Sequence, residues 1–129
     1  LRVDKREILW YKLKLIIYIG VYIMKIITLC GSLKFQKYMM HTAEKMALLG
    51  NCVLTPIYPT SENTERTEEQ LAMLKEEHFK KIELSDVILV INVDDYIGYS
   101  TNLEIEYAKK LNKEILYYTD LIKNKTIKV

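Results

Sequence analysis

Four short apolar runs, Lys25–Cys30 (KIITLC), Cys52–Thr55 (CVLT), Val87–Val93 (VILVINV) and Glu114–Tyr118 (EILYY), alternate with segments of helical periodicity. No other feature of the chain constrains its fold as strongly. Lys25–Cys30 and Val87–Val93 are short, rich in β-branched residues and almost free of charge, as suits strands covered on both faces. Strands joined through helices require right-handed crossovers and build a parallel sheet between helical layers. The predicted class is therefore α/β, a three-layer domain with a parallel sheet of four to five strands.

The segments between the runs carry their own punctuation. Phe35, Met39, Ala43, Met46 and Ala47 follow helical spacing, and Gly50 supplies a C-terminal stop. Residues 56–66 hold both prolines and several turn formers, which predicts a loop. Thr67 to Gln70 reads as a capping box opening a helix to about Leu84, with Leu71, Leu74, His78 and Ile82 as its buried stripe. Asp94–Tyr99 is a loop, and Ser100 or Thr101 is expected to cap a third helix to about Leu111. In sheets of this kind ligands sit beyond the carboxyl ends of the strands, near the point where strand order reverses. Gly31–Lys34 and Asp94–Ser100 are the two loops expected there.

Composition narrows the function classes. A length of 129 residues fits one domain. The net charge of +2 comes from residues 1–23, which carry +3, so the remainder offers no basic patch and no nucleic-acid partner is expected. Two cysteines, Cys30 and Cys52, are too few for a disulfide framework. No CxxC or Cys/His spacing suggests a metal, and neither metal nor cofactor is predicted.

Residues 1–23 stand apart. The chain begins at Leu1, and its first methionine is Met24. Leu15–Met24 is an uncharged run of ten after a basic stretch, well short of the ~20 residues that span a bilayer. Ile27-Thr28-Leu29-Cys30 ends on a cysteine as lipoprotein cleavage sites do, but Leu29 is too large, and Cys30 reads better as the end of a buried strand. The expectation is a non-native or dispensable extension at 1–23, a single domain over 24–129, a cytoplasmic location and no membrane partner, with a short interfacial anchor formed by the apolar run as the minority reading.

Few residues stand out as carriers of chemistry. The Cys30-Gly31-Ser32 turn puts a glycine where backbone can approach a ligand, ahead of a helix whose free N–H groups attract anions. Ser32 is equally an ordinary N-cap. Thr101-x-x-Glu104 is itself a capping-box pattern, which would explain Glu104 without any function. Against this, Glu104 shares a helix face with Ala108 and Leu111, which look core-facing, and would then point toward the strand ends. His78 lies in an apolar stripe, where a hydrogen-bonded core histidine is the commoner outcome. Its place well inside the helix leaves its reach to the strand ends open. Asp86 is expected to turn or cap the chain.

Taken together, residues 25–35 (KIITLCGSLKF), 78–93 (HFKKIELSDVILVINV) and 95–115 (DYIGYSTNLEIEYAKKLNKEI) resemble the nucleoside 2-deoxyribosyltransferase-like superfamily, in its small bacterial and phage branch. The specific part is Ser100-Thr101-x-x-Glu104-Ile105-x-Tyr107-Ala108. The resemblance covers nearly all of 25–118 and none of 1–23. It implies a Rossmann-like fold acting on the N-glycosidic bond of nucleosides or nucleotides. The family's nucleophilic glutamate matches Glu104, which would attack the anomeric carbon and form a covalent glycosyl ester. A helix N-terminus would favour its ionised form. Gly31, Ser32, Gly98 and Ser100 match positions that hold sugar and phosphate. Two departures are visible: Thr28 replaces a tyrosine of the first strand, and His78 replaces an aspartate that donates a proton and holds a sugar hydroxyl. A histidine can act as acid or base near neutral pH. Asp94 and Asp95 add negative charge beside the expected phosphate position.

The resemblance thus points to a transferase or hydrolase of (2′-deoxy)nucleosides or nucleotides, with Glu104 and His78 as catalytic candidates. The rival reading is a nucleotide-binding or sensing module that has the pocket without the chemistry. The phosphoribohydrolases that release cytokinin-type bases are a more distant likeness, matched only in part by Gly98-x-Ser100-Thr101-x-x-Glu104. A homo-oligomer is expected, because the domain is small and the family usually completes its sites across a subunit interface.

Overall fold

The computed structural model describes residues 5–6, 24–61 and 65–125. The extension expected to be dispensable, with its apolar run Leu15–Met24, lies outside the described residues apart from Lys5, Arg6 and Met24. Four strands, β1 (Ile26–Cys30), β2 (Cys52–Leu54), β3 (Val87–Val90) and β4 (Glu114–Tyr117), alternate with α1 (Gln36–Leu48), α2 (Glu68–Leu84), α3 (Tyr99–Lys110) and α4 (Tyr118–Lys123). The sheet is parallel throughout, in the order β2-β1-β3-β4. The α/β three-layer fold is therefore present, with four strands in the described sheet.

Both inner strands are buried on both faces, as their lack of charge requires. Ile27, Leu29, Val87, Leu89 and Ile91 turn to one side, where they meet Met39 and Met46 of α1 and Tyr118 of α4. Cys30, Ile88 and Val90 turn to the other and meet Ile82 of α2 with Ile105 and Ala108 of α3. The period-2 alternation along a strand produces these two cores from one sheet. Asp86 has the expected local role, its carboxylate accepting the Ile26 N–H at 2.8 Å.

Several boundaries differ from expectation, each for a local reason. β3 stops at Val90, although Ile91 remains buried, because Asn92 leaves the extended region and Asp94 and Asp95 adopt positive φ of 53° and 62°. The α1 stripe buries Thr42 in place of Ala47. The capping box of α2 forms as predicted, Gln70 N–H donating to Thr67 and Thr67 N–H to Gln70. Leu71, however, is 51% exposed, because the first half of α2 overhangs a cleft instead of lying on the sheet. Leu111, expected in the core, lies just past the end of α3 and is 38% exposed. Helix α4 has no counterpart in the sequence reading; Asn92 anchors its start by accepting the Thr119 N–H at 3.2 Å.

Candidate active site

A cleft of about 690 Å³ opens beyond the carboxyl ends of β1 and β3, where strand order reverses. Its lining includes Gly31, Ser32, His78, Gly98, Ser100 and Glu104, so every candidate residue named from the sequence faces one space.

Glu104 owes its position to where α3 begins. The N-cap is Gly98, without a side-chain cap, and not Ser100 or Thr101. Thr101 is consequently a buried residue inside the helix, and the Thr101–Glu104 capping box does not form. That removes the structural explanation for the carboxylate. Glu104 instead stands in the second turn, its side chain only 17% exposed and its Oε2 buried with no hydrogen-bond partner. Burial pushes its pKa up to about 7, against weaker lowering effects from Cys30 and Lys75. The helix terminus does not keep it ionised as expected, because that field fades beyond the first turn.

His78 reaches the strand ends. Its Nε2 lies 3.8 Å from Glu104 Oε1 and 3.5 Å from Cys30 Sγ. Burial, assisted by the Lys81 ammonium, lowers its pKa to about 4, so the imidazole is neutral at physiological pH. Both effects run against a histidine that titrates near neutral pH. Its Nδ1 is buried and unpartnered. Cys30, read from the sequence only as a strand end, is the third member of this group. Its thiol is held protonated by burial first and by the adjacent Glu104 second.

The two glycines serve differently. A Cβ on Gly31 would lie 3.2 Å from Ile91 Cβ and 3.3 Å from its carbonyl oxygen, so close packing against the chain beyond β3 already favours glycine here. A Cβ on Gly98 would meet nothing closer than the Tyr96 hydroxyl at 3.5 Å, an ordinary contact. Ser32 caps the short turn Leu33–Phe35, as its N-cap reading anticipated. Thr28 does not line the cleft; it is buried, its hydroxyl donating to the Lys81 carbonyl at 3.1 Å and lying 2.5 Å from Ser85 Oγ.

The sequence reading missed the cleft's cations. Arg66, Lys75 and Lys81 line it, and Lys81 is fixed by donating to the Thr55 carbonyl at 2.8 Å. Asp94 and Asp95 do not line the cleft, although Asp95 adjoins the lining residue Tyr96. Tyr96 flanks the mouth, with Lys34 Nζ 3.2 Å from its ring centroid. Only α2's docking could have shown that Arg66 and Lys75 share a cleft with Glu104.

Fold and cleft define an α/β domain with a buried carboxylate at the switch point of a parallel sheet. Among solved structures, the chain is similar to the 2-desoxyribosyltransferase from Leishmania mexicana, with 19% identity and a TM-score of 0.54. The match covers 73% of this chain and 63% of that one, so the chain spans less than two thirds of that protein's length. The chain has a nucleoside 2-deoxyribosyltransferase-like fold. No family model and no curated protein matches its sequence. Among the described residues no helix is long and apolar enough to cross a membrane.

Proposed function

We propose that this protein cleaves or transfers the N-glycosidic bond of a (2′-deoxy)nucleoside or nucleotide, with Glu104 as nucleophile. The carrying observation is a largely buried carboxylate that lines the cleft and has no structural task. Attack of a Glu104 carboxylate oxygen on the anomeric carbon forms a C–O bond as the C–N bond breaks, and the base leaves with the electron pair. Burial that disfavours the carboxylate favours this step, because the glycosyl ester is neutral. Water or a second base then takes the sugar and releases Glu104. His78, neutral and too weak an acid to protonate the base, shapes the space beside Glu104, and the departing base takes its proton from solvent in the open cleft. Gly31, Ser32, Gly98 and Ser100 border the sugar, while Arg66, Lys75 and Lys81 favour a 5′-phosphate.

The neutral imidazole favours one second reading, a nucleotide-binding module without turnover. Chromatography of free base released from 2′-deoxynucleosides and their monophosphates separates the two. Wild type and Glu104→Ala are run side by side, with and without an acceptor base. Glu104-dependent release is expected, and new nucleoside in the acceptor samples would make it a transferase. Silence across the panel with retained ligand affinity overturns the enzymatic reading. Self-association is part of the same proposal, with the exposed apolar residues Ile57, Leu71 and Met73 near the cleft as its surface. A monomer in sedimentation at micromolar protein counts against it.

A further inference from the structure

The group Cys30, His78 and Glu104 has a second chemical capacity. One ligand atom from each, a sulfur, an imidazole nitrogen and a carboxylate oxygen, lies within 4.8 Å of the other two. In tetrahedral zinc sites, bonds of about 2.3 Å to sulfur and about 2.0–2.2 Å to nitrogen and oxygen place ligand atoms roughly 3.3–3.6 Å apart. The observed separations of 3.5 Å from Cys30 Sγ to His78 Nε2 and 3.8 Å from His78 Nε2 to Glu104 Oε1 are close to those edges. The third edge, from Cys30 Sγ to a Glu104 oxygen, lies within 4.8 Å, and metal binding requires the Glu104 side chain to rotate toward the other two ligands. Each ligand comes from a separate element, the end of β1, the body of α2 and the second turn of α3, so the backbone holds all three in place.

The inner atoms, Cys30 Sγ, His78 Nε2 and Glu104 Oε1, meet only at the long approaches of 3.5 and 3.8 Å, and a cation at their centre would replace these by three bonds. Glu104 Oε2 and His78 Nδ1, buried without partners, are not the ligand atoms. His78 and Glu104 line the cleft whereas Cys30 lies beneath them, so an ion would enter from the cleft and keep its fourth position open toward it. A mixed S, N, O donor set suits a borderline-soft ion and not Mg²⁺ or Ca²⁺.

We infer that Cys30, His78 and Glu104 form a three-ligand site for a zinc-class divalent cation, whose occupation competes with glycosyl transfer for the Glu104 carboxylate. Binding expels the thiol proton of Cys30, together with the carboxyl proton wherever Glu104 carries one; no oxidant or reductant is involved. The competition rests on Glu104 being the nucleophile, whereas the binding does not. Because Nδ1 of His78 lacks the partner that usually steadies a metal-bound imidazole, the site suits reversible rather than permanent occupancy.

The test uses the full chain, stripped with a chelator and titrated with Zn²⁺ against a chromogenic competitor, and separately with Co²⁺. One ion per chain is expected, with a thiolate-to-cobalt charge-transfer band in the near ultraviolet. Cys30→Ser should abolish the band, and His78→Ala should weaken Zn²⁺ by at least ~10-fold, a loss that even supporting residues of a metal site produce. Cys52→Ser, which alters the exposed cysteine, should change neither. Circular dichroism establishes that each variant is folded, and His78→Ala carries the test if Cys30→Ser is not. Absence of stoichiometric binding, or binding unchanged in folded Cys30→Ser and His78→Ala, overturns the site. Binding without inhibition of base release overturns the competition and the nucleophile reading while leaving the site standing. Glu104-dependent base release in a protein that binds no Zn²⁺ does the reverse.

Discussion

Two polar clusters lie on the same face of β1, two residues apart. Around Thr28, the hydroxyls of Thr28 and Ser85 meet at 2.5 Å and both reach the Lys81 carbonyl, at 3.1 and 2.7 Å. Around Cys30, the nearest polar approaches are 3.5 and 3.8 Å, and two buried atoms have no partner at all. Helix α2 contributes to both clusters, and α3 joins it only at the second. The first is closed and satisfied, and its role is to tie α2 to the sheet. The second leaves a carboxyl near pH 7 and an imidazole near pH 4 facing open space, the condition under which a polar group is available for chemistry.

The largest expected effect tests the second cluster. Glu104→Gln should reduce base release by at least ~10³-fold, as loss of a covalent nucleophile does, while leaving the fold intact. Removing a buried, unpaired carboxylate should leave the thermal midpoint unchanged or higher. A variant that melts well below wild type would assign Glu104 to the structural side of the comparison. In the wild type, kcat/KM should rise with pH through about 7 as the carboxyl ionises. A profile flat between pH 5.5 and 8 contradicts that reading.

The same groups govern stability in opposite directions. Glu104 titrates at about 7 when folded and near 4.5 when exposed, so its favourable contribution exists at low pH and is lost as pH rises through 7. His78 titrates at about 4 when folded and near 6.5 when exposed, so its contribution exists above 6.5 and is lost as pH falls through 4. Each is worth about 3 kcal/mol at most, and the two offset one another in the wild type. Glu104→Gln removes one of them. Denaturant unfolding of this variant should therefore show stability rising by ~2–3 kcal/mol from pH 4 to 7, where the wild type stays within about 1. Parallel curves for the two proteins would break the argument.

Thr28→Val tests the satisfied cluster. It removes a buried donor whose partners remain, and should lower stability by about 1–2 kcal/mol while kcat and KM stay within about twofold. Loss of activity at unchanged stability would place Thr28 with the reactive cluster instead.

This comparison also explains how much the sequence could say. Val87–Val90 and Ile26–Cys30 are legible because burial on both faces imposes a composition that no neighbour has to supply. Glu104 was legible in direction, through its i, i+4 relation to Ala108, but the helix start was not. Gly98 offers no side-chain cap to announce itself, and the Thr101–Glu104 pattern imitates one. His78 and Cys30 are 48 residues apart, and only the crossover from β1 to β3 through α2 brings them to 3.5 Å. Leu71 kept its helical period and still lies exposed, because periodicity identifies a face and not what that face meets. Helix α4 was missed for the same reason, since its start is fixed by Asn92, a residue far away in the chain.

The smallest effect is expected at Gly98, and its contrast with Gly31 separates packing from access. Gly31→Ala forces a methyl to 3.2 Å from Ile91 Cβ and should destabilise by about 1–3 kcal/mol, the range of overpacked cores. Gly98→Ala meets only the Tyr96 ring at ordinary contact, with φ of −76° that any residue adopts, and should change stability by less than about 0.5 kcal/mol. Gly98 nevertheless borders the cleft immediately before the helix that carries Glu104. An alanine methyl there should raise KM for substrate a few-fold without altering kcat, because it narrows the entrance and leaves the carboxylate in place. If instead Gly98→Ala lowers the melting temperature as much as Gly31→Ala, both glycines are packing residues. The cleft would then owe its shape at that loop to the fold alone.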